Sequence, residues 1–183
     1  TVQLHQPITD ALALKGISMI AENLEKAYEN GEDREARRNM MIASTIGGMA
    51  FISSNVGAVH AFAETVGAWF DTPHGVANSL FLPYIMEFNI PACPERFADI
   101  ADAMGIEREE SMSDEQYALK AVEYVKALNR KLNIPTIKEI KGITEERFEA
   151  IAERSANNVL SNDNARKITK EDYLELLKKA YNE

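Results

Sequence analysis

The chain has 183 residues, with 20 lysines and arginines against 29 aspartates and glutamates, so its formal net charge is −9. This length is sufficient for one domain with a core of its own, and the acidic balance argues against a surface for nucleic acid or for an anionic membrane. The single cysteine, Cys93, excludes an internal disulfide and favours a cytoplasmic protein. The sequence shows no apolar run of about 20 residues that would indicate membrane insertion and no N-terminal signal that would indicate export.

The chain begins with a segment that shows no hydrophobic periodicity. Pro7 disfavours a helix through it, so residues 1–9 are predicted to be an arm or a truncated loop. From Asp10 onwards, apolar residues recur at steps of three and four, which is typical of one face of a helix. Asn30 is followed by a glycine, and such a pair commonly ends a helix with a residue in the left-handed conformation. A first helix is therefore predicted from Asp10 to Asn30.

A second helix is predicted to begin near Asp33 and to continue through an apolar stretch up to Phe51. Gly47 and Gly48 lie inside this stretch, and paired glycines in a helix usually indicate close packing against a neighbouring helix and less often room for a ligand. A third helix is predicted over residues 55–70, followed by a turn that is rich in turn-forming residues.

The rest of the chain continues the helical pattern. Ser113 with Gln116, and Thr169 with Asp172, have the spacing of capping boxes. Further helices are predicted over residues 76–87, 96–104, 113–132 and 144–157, and from residue 169 onwards. Because no segment alternates with period two, we predict an all-α fold, a single bundle of about seven or eight helices over residues 10–183.

Three histidines occur in the chain, and two of them are close to one glutamate in the sequence. His60 and Glu64 are four residues apart on a predicted helix, so their side chains project from the same face. His74 follows the next turn, where the chain can fold back over that face. Imidazoles and a carboxylate suit zinc or ferrous iron. The alternative is an ordinary surface pair of His60 with Glu64 and a loop histidine bonded to backbone.

Other residues give weaker signals. Cys93 stands between prolines without a nearby histidine and is interpreted as a packed or surface thiol. No glycine-rich phosphate loop follows a strand, so the residues alone predict no dinucleotide site. Six large apolar residues are assigned to the core: Met40, Met41, Trp69, Phe70, Phe81 and Leu82.

Three segments carry a resemblance to a known family. They are GAVHAFAE at residues 57–64, TPHGVAN at 72–78 and LPYIMEFN at 82–89, supported by PITDALAL at 7–14 and by NAR at 164–166. In order and spacing these segments closely resemble the iron-containing (group III) alcohol dehydrogenases, and the agreement extends over nearly the whole chain.

The resemblance implies a fold and a set of site residues. Family members have an N-terminal α/β domain that binds NAD or NADP and a C-terminal helical domain that contributes most metal ligands; this chain is similar to the helical domain alone. His60 and His74 match two ligands of the metal, Fe²⁺ or Zn²⁺, whereas His5 does not match the family's remaining histidine. Glu64 stands where many members have a further histidine near metal and nicotinamide, and is assigned a catalytic position. Phe51 and Leu160 match residues that line the substrate pocket.

The implied reaction is hydride transfer between a primary alcohol, or its aldehyde, and the nicotinamide ring. By the resemblance, the chain is expected to begin just after the helix that supplies an aspartate and a histidine ligand in the family, so that half of the metal ligands are missing from it. Because the cofactor domain is missing as well, the chain by itself is expected to be inactive. We also expect an exposed apolar patch near His60 and a homo-oligomer. Two other hypotheses stay open: a stand-alone helical scaffold or interaction domain without catalysis, and a small hydrolase whose metal is held by His60, Glu64 and His74.

Overall fold

The computed structural model describes residues 2–183. Eight α-helices form most of this part of the chain: α1 (Pro7–Glu29), α2 (Arg34–Ser54), α3 (Ala58–Phe70), α4 (His74–Asn89), α5 (Pro94–Ala103), α6 (Asp114–Lys131), α7 (Phe148–Ala156) and α8 (Lys170–Asn182). Four short 3-10 helices lie between them: Ile90–Ala92, Ile137–Glu139, Glu145–Arg147 and Val159–Asp163. Within residues 2–183 the only strand-like pairing is an isolated bridge between Val2 and Asn164. The prediction of an all-α bundle is confirmed.

Two apolar clusters form the core. The larger one joins α3, α4, α7 and α8 around Phe62, which is fully buried. The Phe62 ring stacks on Phe81 with centroids 4.1 Å apart and meets the edge of Tyr173 at 4.6 Å. The smaller cluster joins the end of α4 to α5 and α6. The larger cluster fixes the relative positions of α3 and α4, the two helices that carry His60 and His74.

The α1–α2 pair forms an antiparallel hairpin held by small residues. The buried positions of α2 include Ala36, Ala43 and Ala50, each seven residues after the last, and α1 contributes Gly16 and Asn23 at the same spacing. A seven-residue repeat keeps the buried positions on one side of each helix. The opposite side of α2 is left exposed. None of the described helices alone has the length and apolarity to cross a membrane; α2 and α3 meet that criterion only together, with a bend of 108° between them.

The exposed side of α2 contradicts the predictions for Gly47, Gly48 and Met41. Gly47 and Gly48 were expected to pack closely, but a Cβ added at either one would meet no atom within 4 Å. Met41 is 72% exposed, and outside α2 Trp69 and Leu82 are 40% and 36% exposed, so their assignment to the core is wrong. The physical reason is that periodicity identifies an apolar face without identifying what covers it. Phe81 is fully buried as predicted, and Met40 and Phe70 are half-buried.

Three helices, α1, α4 and α5, begin two or three residues earlier than predicted, each of them at or directly after a proline. α1 begins at Pro7, three residues before Asp10, because proline is well suited to the first helical position and Thr9 Oγ1 accepts a hydrogen bond from the Gln6 backbone N–H. α4 begins at His74, directly after Pro73. His74 is thus part of a helix rather than of the bend before it. Residues 2–6, which precede α1, are attached to the 3-10 segment Val159–Asp163. The Gln3 backbone N–H donates a hydrogen bond to Asp163 O at 2.9 Å.

An ion pair joins the start of α1 to α5. The Arg96 guanidinium donates to both oxygens of Asp10, at 2.8 and 3.0 Å. This bond to Arg96 lowers the pKa of Asp10 below its usual value of 3.8, although burial opposes the change. A carboxyl group with a lowered folded-state pKa stabilises the fold above its unfolded pKa, and loses that contribution as the pH falls through the folded pKa.

We expect Asp10→Asn to reduce the free energy of unfolding by about 1–2 kcal/mol at neutral pH, because partial exposure of the pair to solvent lowers the contribution of a hydrogen bond between charged groups. The difference in free energy of unfolding between variant and wild type should narrow as the pH falls below 3.8, where Asp10 becomes protonated in the unfolded chain before it does so in the folded protein. Urea denaturation of both proteins at neutral and acidic pH measures this difference. A difference in free energy of unfolding that stays constant with pH would contradict the ion pair between Asp10 and Arg96.

Candidate functional site

His60 lies in the first turn of α3, whose start is fixed by a buried asparagine. Asn164, 1% exposed, accepts a hydrogen bond at Oδ1 from the Ala58 backbone N–H at 3.4 Å. Gly57 precedes this turn, and a Cβ there would lie only 3.1 Å from Asn164 Oδ1. The absence of a side chain at Gly57 therefore allows the loop of Asn164 to approach the helix start that carries His60.

A short turn between α3 and α4 brings His74 close to His60. Asp71 caps the end of α3 and has a left-handed conformation with φ of 51°. After Thr72 and Pro73 the next helix begins at His74. The two imidazole rings lie 5.3 Å apart between centroids, with their planes at 54°. The structure therefore brings together two side chains that are separated by a whole helix in the sequence.

The spacing of the rings fits the chemistry of a shared ion. Two imidazoles that bind one tetrahedral ion through nitrogens at about 2.1 Å have centroids roughly 5 Å apart. Within residues 2–183, no group of three or more histidine, cysteine, aspartate or glutamate side chains is arranged to hold a metal. The two rings thus suit part of a ligand set. Glu64 does not complete a three-ligand site with them, which argues against the hydrolase hypothesis.

The surroundings of His60 favour its neutral form. Burial lowers the pKa of His60 below 6.5, the nearby His74 lowers it further, and Glu64 acts in the opposite direction. Only the neutral imidazole has a free nitrogen lone pair for a metal ion. His60 is therefore ready to act as a ligand at neutral pH.

Glu64 lies one helical turn beyond His60 and is held from another part of the chain. Its Oε2 accepts a hydrogen bond from Asn158 Nδ2 at 2.7 Å, and Asn158 Oδ1 in turn accepts from the Leu160 backbone N–H at 3.0 Å. Glu64 also lines a cavity of about 480 Å³ together with Trp69 and Arg154. Sequence reasoning missed Asn158, because a contact across 94 positions leaves no local pattern.

The two predicted pocket residues lie on different elements. Phe51 is on the last turn of α2 and is 54% exposed. Leu160 is half-buried on the 3-10 segment Val159–Asp163 and packs against the larger core cluster. A hydrogen bond from Asn55 to Asp163 joins the end of α2 to that segment. Their assignment to a substrate pocket stays a prediction.

Asn164 is the second residue whose role was not evident from the sequence. Its Nδ2 donates to Asn89 Oδ1 at 2.7 Å and to Arg166 O at 2.8 Å, and its Oδ1 also accepts from Asn89 Nδ2 at 3.1 Å. The side chain thus joins the start of α3, the end of α4 and the loop before α8. In the sequence, residues 164–166 show only the family resemblance, with no indication that Asn164 is buried.

The fold and the site define an all-helical domain with a pair of imidazoles close enough to share one ion. Comparison with protein families gives the wider class: the model of the Fe-containing alcohol dehydrogenase family, C-terminal, matches residues 3–181. The chain belongs to this family and covers its C-terminal, helical part. The resemblance found in the sequence is confirmed.

Several relatives and solved structures are similar over nearly the whole chain. Alcohol dehydrogenase 4 of Saccharomyces cerevisiae is 40% identical over 178 residues, which is 96% of this chain and 44% of the yeast protein. Lactaldehyde reductase of Escherichia coli is 37% identical over 174 residues, which is 95% of this chain and 45% of that enzyme. The crystal structure of a 1,3-propanediol oxidoreductase has a TM-score of 0.94 at 36% identity, over 98% of this chain and 47% of that one. The chain therefore spans less than half the length of these relatives.

Proposed function

We propose that this chain forms the metal-binding helical half of an NAD(P)-dependent alcohol dehydrogenase that interconverts a primary alcohol and its aldehyde. The observation that carries the proposal is the 5.3 Å separation of the His60 and His74 rings in a chain of this family. Relatives named alcohol dehydrogenase, 1,3-propanediol dehydrogenase and lactaldehyde reductase support a small alcohol or aldehyde as substrate.

His60 and His74 would hold a divalent metal, Fe²⁺ or alternatively Zn²⁺, as part of a larger ligand set. When bound, such an ion supplies Lewis-acid stabilisation of an alkoxide oxygen. Burial and the proximity of His74 keep His60 neutral, which is the form that binds metal.

The neighbouring side chains would orient the substrate. Phe51 and Leu160 supply apolar surface that excludes water from the carbon that gives or takes the hydride. Glu64 is held at Oε2 by Asn158, so its other oxygen is left to accept a hydrogen bond from substrate or nicotinamide. The cavity next to Glu64 gives space for such a polar group.

The dinucleotide would be bound mainly by protein outside these 183 residues. The sequence has no glycine-rich loop between a strand and a helix, and the described residues form helices without a sheet. We therefore propose that the chain alone does not transfer hydride. The free, buried Cys93 is compatible with a reducing cytoplasm.

The exposed side of α2 would be covered in the complete enzyme, by the cofactor domain or by a second subunit of a homo-oligomer. Large apolar side chains are exposed along this helix: Met41, Ile42, Met49, Phe51 and Ile52. Such a series of apolar residues on one helix is typical of a surface that becomes buried on association. Gly47 and Gly48 on the same helix would allow a partner to approach the backbone closely.

Gly47→Ala and Gly48→Ala should each stabilise the isolated chain, by up to about 1 kcal/mol, because alanine favours a helix over glycine. A Cβ at either position meets no atom within 4 Å, so no clash opposes this gain. Thermal unfolding of the two variants measures the effect. A lower melting temperature in both would show that the glycines are needed within the chain itself.

The competing hypothesis is a helical scaffold that keeps the family fold without catalysis. A chimaera distinguishes the two: the N-terminal part of the Escherichia coli lactaldehyde reductase is fused to this chain in place of its own helical part, which is 37% identical. We expect NADH formation from NAD and a primary alcohol, dependent on added Fe²⁺ or Zn²⁺ and lost in the His74→Ala chimaera. A folded chimaera that binds NAD and metal but oxidises no primary alcohol would support the scaffold.

A further inference from the structure

The side chain of Asn78 contacts His74 at two points. Asn78 lies one turn after His74 on α4, and its Nδ2 is 2.9 Å from the His74 carbonyl oxygen and 3.1 Å from His74 Nε2. The amide group has two hydrogens on nitrogen. Each hydrogen can therefore serve one of these two acceptors.

The geometry determines which way the amide is turned. The atom 2.9 Å from a carbonyl oxygen must be the amide nitrogen, because two oxygens at that distance would repel each other. Asn78 Oδ1 is buried and has no hydrogen-bond partner among residues 2–183, so no bond there favours the reverse orientation. The NH₂ group thus faces His74 Nε2.

The orientation of the amide determines the tautomer of His74. A neutral imidazole carries one N–H, and the nitrogen that accepts a hydrogen bond is the one without it. Because Nε2 accepts from Asn78, the hydrogen of His74 is on Nδ1, and the Nε2 lone pair points towards a partial positive charge. A metal bound at Nε2 requires the same tautomer.

We propose that Asn78 is a positioning residue that holds His74 in its Nδ1–H tautomer and occupies Nε2 until a metal ion replaces it there. With a metal ion at Nε2, the bond from Asn78 Nδ2 to Nε2 would be lost, whereas the bond from Asn78 Nδ2 to the His74 carbonyl would be kept. No proton has to move from one ring nitrogen to the other. The replacement step rests on the proposed metal site, but the tautomer does not.

The test is the tautomer of His74 by ¹⁵N-detected NMR of the imidazoles, at about pH 9, where an ordinary imidazole is neutral. In the wild-type chain we expect mostly Nδ1–H. Asn78→Asp replaces the donor by an acceptor of the same shape and should shift the population to mostly Nε2–H. Asn78→Ala should leave a mixture of both, and keeps the test decisive if the aspartate variant fails to fold. Asn162→Asp adds the same charge at an exposed site and should leave the wild-type tautomer unchanged.

Nε2–H in the wild-type chain, or one tautomer in all variants, would overturn the role of Asn78. Zn²⁺ is then added to the wild-type chain. We expect the Nε2 signal of His74 and the Asn78 NH₂ signals to shift while Nδ1–H is retained. Zinc on Nδ1 would overturn the replacement step. If zinc shifted the imidazole signals of neither His60 nor His74, the proposed metal site would be wrong, whereas the result on the tautomer would still hold.

Discussion

Replacing His60 or His74 by alanine is expected to weaken Zn²⁺ binding by about 100-fold or more, because each removes one of the two nitrogens that the chain offers to the ion. The wild-type chain itself should bind weakly, since no third ligand side chain in residues 2–183 is placed to join the two rings. Isothermal titration calorimetry measures both affinities. Trp69, which lies between the two histidines in the sequence, provides a second signal through its fluorescence.

His5→Ala is the matched control for this experiment. His5 is the third histidine of the chain, and it contacts Arg96 and Asp10 at the start of α1 instead of the imidazole pair. Its removal should leave the affinity for Zn²⁺ unchanged. Equal binding heats for wild type, His60→Ala and His74→Ala would show that these two histidines do not bind the metal ion.

The second large effect is expected at Asn164, where alanine should reduce the free energy of unfolding by about 3 kcal/mol. The substitution leaves the side-chain amide of Asn89 and the backbone N–H of Ala58 without their partner, and each unsatisfied buried group costs about 1–3 kcal/mol. Chemical denaturation measures the loss.

Asn162→Ala is the control for the asparagine experiment. It removes the same side chain two residues earlier, at an exposed position, and should change stability by less than about 0.5 kcal/mol. Equal stability of the Asn164→Ala and Asn162→Ala variants would show that the buried network does not hold α3 and α4 together.

The sequence was sufficient to predict the helical class, because the apolar residues of α6 and α8 follow the helical period and both helices carry capping boxes. It was less reliable where proline begins a helix. Pro7 was interpreted as a helix breaker, yet it occupies the first turn of α1, where its missing N–H costs nothing. The same reasoning explains why His74, directly after Pro73, opens α4.

The candidate site was predictable only in part. The turn predicted at residues 71–75 suggests that His74 can fold back towards His60, and the centroids of the two rings lie 5.3 Å apart. Asn158 and Asn164 could not be found in this way, because their partners are distant in the sequence and asparagine is common in exposed loops. The exposure of Met41 was also unpredictable, since a helical period does not show which apolar face has a partner within the chain.

The central claim is that the imidazoles of His60 and His74 bind one ion together. Anomalous diffraction at the zinc edge, from crystals of the chain soaked in Zn²⁺, tests this claim most directly. We predict one peak between the two rings, about 2.1 Å from a nitrogen of each. A zinc peak on only one of the rings, or peaks at His5 and surface carboxylates with none between the rings, would contradict it.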